Sequence, residues 1–306
     1  MTDVWTFGET MVSLRTTALL SPGVTWSTHV AGAESNVAIG LARLGHSVTW
    51  CSRLGDDAFG HLVMRELRAE GIAVDCALDP ERPTGFMFLR PTTFAAEVAY
   101  HRAGSAASAL GVEVVDSLVA AAPRVVVLSG ITPALGPGPA EAAARAVESA
   151  QAMGATVVLD VNHRARLWSR EAAARFLQRI IPGVDVVVGS PEELELLAPT
   201  PQRLVEMGPS QVVVKLGPEG ARLHADGSVV DGPTTTVAVV DPVGAGDAFT
   251  AGYVSALLEG AGPEARLRRG NVLGAAAVRH RGDYEGLPLR DELLAWEREG
   301  GADVLR

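Results

Sequence analysis

Three runs of valine punctuate the middle of the chain: Val125-Val126-Val127, Val186-Val187-Val188 and Val212-Val213-Val214. Unbroken apolar runs this short read as strands buried on both faces. Similar segments at 4–7, 47–51 and 156–160 extend the series, so strands are predicted at 4–7, 47–51, 124–128, 156–160, 185–188 and 211–215. Between them, apolar residues recur at helical spacing. Helices are predicted at 34–44, 58–70, 113–121, 139–153 and 170–180, with a short one at 192–197, and Gly45 and Gly71 stop the first two. Strands alternating with helices predict an α/β fold with a doubly wound, mainly parallel sheet. The last third reads as short strands at 221–224, 229–230 and 235–240, then helices at 245–259, 263–280 and 290–297. Two stretches break the pattern. The segments 86–90 and 96–102 read as half-exposed strands around a polar turn. The segments near 10–31 and 83–104 are candidates for a small separate sheet or lid. No repeat or low-complexity linker divides the chain, so residues 1–306 are expected to form one domain.

Composition narrows the chemistry. Of 26 basic residues, 25 are arginine and one is lysine, Lys215. A phosphate-binding loop of the Gly-Lys-Ser/Thr type needs its lysine after a Gly-rich turn. Here the lysine reads Val214-Lys215-Leu216, which excludes that loop. No His-Arg-Asp or Asp-Phe-Gly follows, which excludes a protein kinase. A Schiff-base enzyme keeps one candidate nucleophile, Lys215. With a net charge of −10 and no basic run, neither nucleic acid nor an anionic membrane is an expected partner. Cys51 and Cys76 show neither metal spacing nor a disulfide framework, and the first residues lack a basic-then-apolar leader. Both point to the cytoplasm.

The most informative segment is Asp241-Pro242-Val243-Gly244-Ala245-Gly246-Asp247. A predicted strand runs into a Gly-rich turn and then a helix. The free amides of a helix N-terminus, with the helix dipole behind them, bind anions. An aspartate there either caps the helix or takes a proton from a hydroxyl attacking a phosphoryl group. A dinucleotide fingerprint fails, because Phe249 stands at its third glycine.

This segment resembles the C-terminal signature of the ribokinase-like (PfkB) carbohydrate kinases. The N-terminal signature has its counterpart in Ala31-Gly32-Ala33-Glu34-Ser35-Asn36-Val37-Ala38, followed by Leu41-Ala42-Arg43-Leu44-Gly45 and Leu54-Gly55-Asp56-Asp57-Ala58-Phe59-Gly60. Within the family the chain is most similar to the 2-keto-3-deoxygluconate kinases, through 129–135, Asp160-Val161-Asn162-His163-Arg164 and Arg281-Gly282-Asp283-Tyr284-Glu285-Gly286. The resemblance implies a Rossmann-like kinase with a β-sheet lid, transferring the ATP γ-phosphate to the 6-hydroxyl of that sugar acid. Asp247 would be the general base and the amides of Gly244, Ala245 and Gly246 the anion hole. Ser190, Lys215, Gly217, Gly220 and Asn271 would join those three residues in binding ATP. Mg2+ would bridge the phosphates, with Glu193 as its acidic neighbour in Ser190-Pro191-Glu192-Glu193, where relatives carry Asn-x-x-Glu. A monovalent cation near Asp241 is left open. The family also implies a homo-oligomer formed through the lid.

The same resemblance places Gly32, Asn36, Met87, Tyr100, Arg102, Ile131, Arg164, Asp247 and Asp283 at the substrate. An arginine fork suits a carboxylate, and Arg102 and Arg164 are the two candidates. Ser13 stands where neutral-sugar members carry an acidic residue, and losing that charge suits an anionic substrate. Met87 stands where relatives offer a lid tyrosine. Three alternatives remain: a kinase of fructose, ribose or a related keto sugar acid; a keto-acid aldolase working through Lys215; and a non-catalytic sugar-acid sensor.

Overall fold

The computed structural model describes residues 2–92 and 96–298. In chain order the strands are β1 (Val4–Phe7), β2 (Met11–Arg15), β3 (Ser27–Ala31), β4 (Val48–Gly55), β5 (Ala73–Asp79), β6 (Phe86–Pro91), β7 (Ala96–His101), β8 (Val125–Ser129), β9 (Thr156–Asp160), β10 (Val186–Gly189), β11 (Gln211–Lys215), β12 (Ala221–Ala225) and β13 (Ser228–Gly232). The helices are α1 (Ala33–Arg43), α2 (Ala58–Ala69), α3 (Val114–Ala121), α4 (Pro137–Met153), α5 (Arg170–Ile180), α6 (Pro191–Leu194), α7 (Pro201–Val205), α8 (Ala245–Leu258), α9 (Pro263–Ala277) and α10 (Arg290–Arg298).

Nine strands form one sheet in the order β13-β12-β11-β10-β9-β8-β1-β4-β5. From β5 to β11 every pairing is parallel, and the β12–β13 hairpin closes the edge antiparallel. The valine runs explain why both faces are covered. Side chains alternate across a strand, so Val125 and Val127 join Val4, Trp50, Val158 and Val213 on one face, packed under α1, α2, α8 and α9. Val126 joins Trp5, Val157, Val187 and Val212 on the other, under α3, α4 and α5. The register Val4↔Val125 and Trp5↔Val126 keeps the two sets in layers.

A second sheet, ordered β3-β2-β6-β7, is built from the two irregular stretches. Its pairings are antiparallel except for β2 with β6. Phe86 stacks on His101 with ring centroids 4.7 Å apart, and Phe88 meets Trp26 edge-on. These aromatics pack against one another within the lid.

The strand expected at 235–240 does not form. The hairpin ends at Gly232, and the chain then leaves the sheet in an extended but unpaired course. Its β-branched residues, Thr235-Thr236-Val237-Ala238-Val239-Val240, imitate a strand, yet Val239 and Val240 are exposed. The segment is tied back instead by Val240 N and Asp241 N donating to Val278 O, at 2.7 and 3.2 Å. It serves as a wall of the first cavity described below.

Candidate active site

Two cavities open on either side of the turn that starts α8. The first holds about 490 Å3 and is lined by Ser190, Lys215, Gly217, Gly220, Ala245, Gly246 and Asn271, with Thr234 to Val237 and Phe249. Its walls are largely apolar. Asn271 spends its amide on the backbone of the turn after β13, donating to Gly232 O at 2.6 Å and to Pro233 O at 3.3 Å. Ser190 caps α6 in a reciprocal box: Ser190 Oγ accepts from Glu193 N at 3.3 Å, and Glu193 Oε2 accepts from Ser190 N at 2.9 Å. The other oxygen of Glu193 accepts from His163 N at 3.0 Å. Both oxygens of Glu193 are therefore engaged by backbone amides.

The second cavity holds about 780 Å3 under the lid. Gly32, Asn36, Met87, Tyr100, Arg102, Ile131, Arg164, Asp247 and Asp283 all line it, together with Gly244. Met87 and Tyr100 face each other across β6 and β7. The two arginines differ. Arg102 is paired with the buried Glu9 carboxylate and lies 5.8 Å over the Tyr100 ring. Arg164 is exposed at the mouth, and its Nη1 reaches only the neighbouring His163 carbonyl, at 3.4 Å.

Asp247 stands where the two cavities meet. Gly246 lines the first, Gly244 and Asp247 the second. These are the first residues of α8, whose amides have no acceptor within the helix. Asn36 Nδ2 donates to Asp247 Oδ2 at 2.8 Å, and Asn162 Nδ2 approaches Oδ1 at 3.4 Å. Burial pushes the Asp247 carboxyl up to about 7; the Asn36 amide and the Lys215 charge oppose the rise, and Asp160 and Asp283 add to it. A carboxylate poised near neutrality is a competent proton acceptor.

The lone lysine lies under this turn. Lys215 Nζ donates to both oxygens of Asp160, at 2.9 and 2.8 Å, and Thr250 Oγ1 donates to the same carboxylate at 2.8 Å. A Cβ built on Gly246 would lie 3.2 Å from Lys215 Nζ, so the ammonium sits close against the helix start.

Sequence reasoning missed Glu9, Arg15 and the site roles of Asn162 and Asp160. Glu9 Oε1 accepts from Ser105 Oγ at 2.7 Å while Oε2 faces Arg102. It follows the glycine ending β1, where a carboxylate facing inward is the only hint. Glu34 is buried behind the cavity; burial pushes its carboxyl up to about 8, against the Thr132 hydroxyl bonded to it.

A mainly parallel sheet under a four-stranded lid, with two cavities meeting at a helix N-terminus beside a buried carboxylate, suits transfer of a phosphoryl group to a hydroxyl. The sequence profile of the family described as pfkB family carbohydrate kinase matches residues 1–290, and the chain belongs to that family. It is 33% identical over 96% of its length to a Bacillus subtilis 2-dehydro-3-deoxygluconokinase, 95% of which is covered. It is 32% identical to a Haloferax volcanii 2-dehydro-3-deoxygalactonokinase, with 99% of each chain covered. Among solved structures, an E. coli ribokinase II candidate in complex with ATP and Mg2+ superimposes with a TM-score of 0.89 at 25% identity, covering 98% of this chain and all of that one.

Proposed function

We propose that the protein phosphorylates 2-keto-3-deoxygluconate at its 6-hydroxyl, with ATP as donor. The observation that carries this reading is the sorting of residues. Every side chain assigned to the sugar acid lines the lid cavity, and Ser190, Lys215, Gly217, Gly220 and Asn271 line the other, with Asp247 at the junction. In this reading Asp247 takes the proton from the 6-hydroxyl as that oxygen attacks phosphorus. The amides of Gly244, Ala245 and Gly246 receive the charge on the transferring group without reorganisation. Lys215 adds a fixed positive charge beneath them.

The substrate carboxylate meets Arg164, whose charge has no carboxylate partner among the described residues, while Arg102 offers a fork already oriented by Glu9. Among the described residues no cluster of three acidic, His or Cys side chains could cage a metal. Mg2+ commonly sits on substrate phosphates and water with one or two carboxylates. Glu193, held by the amides of His163 and Ser190, is the carboxylate this reading assigns to support it. When bound, Mg2+ would neutralise phosphate charge during transfer. A monovalent cation enters no step, and Arg15 already brings a positive charge to Asp241. The reading places the enzyme in the cytoplasm, as a homo-oligomer joined through the lid; among the described residues no helix is long and apolar enough to cross a membrane.

The environment of Lys215 speaks against the aldolase. Burial, the largest single influence, lowers its pKa, but the charges of Asp160, Glu193 and Asp247 and the Asp160 hydrogen bonds together outweigh it, and the ammonium is held above its ordinary value. A Schiff-base lysine needs the reverse.

Coupled ADP-release assays over a panel of sugar acids and neutral sugars test the substrate. A keto-deoxy sugar acid is expected to exceed fructose and ribose in kcat/KM. Arg164→Gln should cut that value for the acid by roughly 10- to 100-fold, the worth of a charge-assisted hydrogen bond, and leave neutral sugars unchanged. A neutral sugar preferred by the unaltered enzyme would sink the assignment.

A further inference from the structure

Arg15 is the one arginine of the lid strand β2 that crosses into the catalytic half of the molecule. It is only 8% exposed. Its Nε donates to Ser13 Oγ at 3.0 Å, its Nη1 to Asp241 Oδ2 at 3.4 Å, and its Nη2 is paired with Asp283 Oδ1. Asp241 and Asp283 flank the anion-binding turn in space, and Asp283 is the carboxylate next along the chain of contacts. Asn36 Nδ2 divides its two hydrogens between Asp247 Oδ2 at 2.8 Å and Asp283 Oδ2 at 3.4 Å. A continuous series thus runs from lid to base: Arg15, Asp283, Asn36, Asp247.

We propose that Arg15 is a positioning residue for phosphoryl transfer, acting through Asp283 and Asn36 to hold Asp247 in place and to set the charge around it. The inference rests on Asp247 being the base. Its physical content is a competition for one amide. With Arg15 present, Asp283 is neutralised from the lid side and leaves Asn36 free to orient Asp247. Without Arg15, the buried Asp283 loses the charge that offsets its burial, turns to the same amide, and competes with the base for a shared proton. Because the guanidinium comes from β2, the base is set only when the lid sheet is seated.

The groups facing this series are few. Asp160 and Lys215 face Asp247 from β9 and β11, and Glu34 faces it from α1. Glu285, itself 2.6 Å from His29 of β3, faces Asp283. Asp241, the other partner of Arg15, is orphaned in Arg15→Met and in the double variant alike, so the difference between those two reports on Asp283.

The test is the pH dependence of kcat/KM for the sugar in the full-length enzyme and three variants: Arg15→Met, Arg15→Lys, and the double variant Arg15→Met/Asp283→Asn. The acid limb of the unaltered enzyme should lie near neutrality. Arg15→Met should move it up by about one pH unit, as removal of a nearby compensating charge does. Arg15→Lys keeps the charge but cannot fork between two carboxylates, so its limb should stay while kcat falls severalfold with KM for ATP unchanged. The double variant removes the orphaned carboxylate, and its limb should return toward the original. An unmoved limb in Arg15→Met, with only thermal stability lowered, would mean a merely structural arginine and overturn the proposal. Should Arg15→Met fail to fold, unchanged kcat in Arg15→Lys overturns it equally. A flat profile in the unaltered enzyme would remove Asp247 as the base and take this inference with it, an outcome distinct from both.

Discussion

Replacing Asp247 with asparagine is expected to lower kcat by roughly 10²- to 10⁴-fold, the usual worth of a positioned general base, while ATP affinity changes little. The nucleotide-side cavity is lined by Lys215, Gly217, Gly220 and Gly246 and does not include Asp247, so a binding isotherm for ATP separates loss of chemistry from loss of the donor site. The same substitution should alter stability in a particular direction. The folded-state pKa of Asp247 is about 7, above the ordinary carboxylate value near 4. Between those values the folded protein holds the proton that the unfolded chain has released, so folding is favoured there at low pH, and stability falls as pH rises through about 7. Asparagine carries no charge to bury. Asp247→Asn should therefore melt higher than the unaltered enzyme at pH 8 and converge with it near pH 4, the loss of one Asn36 or Asn162 hydrogen bond being the smaller effect. Calorimetric melting points at the two pH values check this. Near-normal turnover in the variant would refute Asp247 as the base, whatever the melting curve shows.

The layered α/β core was legible because valine runs have no other stable use in a chain this size than strands covered on both faces. The residues gathered around the two cavities were legible where they are contiguous, as in 241–247, 31–38 and 160–164. What escaped has one physical character: contacts between residues distant in sequence. Arg15 meets Asp241 and Asp283 more than two hundred positions later. Nothing in its neighbours, Leu14 and Thr16, marks it off from the other arginines of an arginine-rich chain. Glu9 reaches Arg102 and Ser105 only because the lid returns to the core there. The missed edge strand β5 failed for a related reason. One partner covers it, its residues are mostly exposed, and the apolar run that betrays a central strand is absent. The false strand at 235–240 shows the converse. Its Thr and Val residues carry a β preference that needs a partner strand to be realised, and here the segment lines a cavity instead of pairing.

The turn before α8 makes the second strong prediction. Gly244 has φ +78°, in the left-handed region, and a Cβ built on it would lie 2.0 Å from the carbonyl oxygen of Asp283 and 2.8 Å from its carbonyl carbon. The backbone strain for alanine there is about 1–2 kcal/mol, but the contact is worse, because the obstructing atoms are main chain and no rotamer change relieves it. Either the 282–284 loop retreats, taking Asp283 from Arg15 and Asn36, or the turn swings and the amides of Ala245 and Gly246 leave their positions. Both routes damage catalysis. Loss of one preorganised donor costs about 10²–10³ in kcat, and a displacement of about 1 Å in reacting groups costs a similar factor. Gly244→Ala should thus lower kcat by at least about 100-fold and reduce thermal stability as well. Gly262 supplies the control. It is also the N-cap glycine of a long helix, α9, but its φ is −69° and the nearest atom to a built Cβ is 3.8 Å away, on the Glu264 side chain. Gly262→Ala removes glycine from an equivalent helix start without strain or contact, so kcat should stay within a factor of two, with stability lower by roughly 0.5–1 kcal/mol. Equal losses in the two variants would mean that helix-start glycines matter here only for folding. A loss confined to Gly244→Ala would assign the effect to the anion-binding turn and its contact with Asp283.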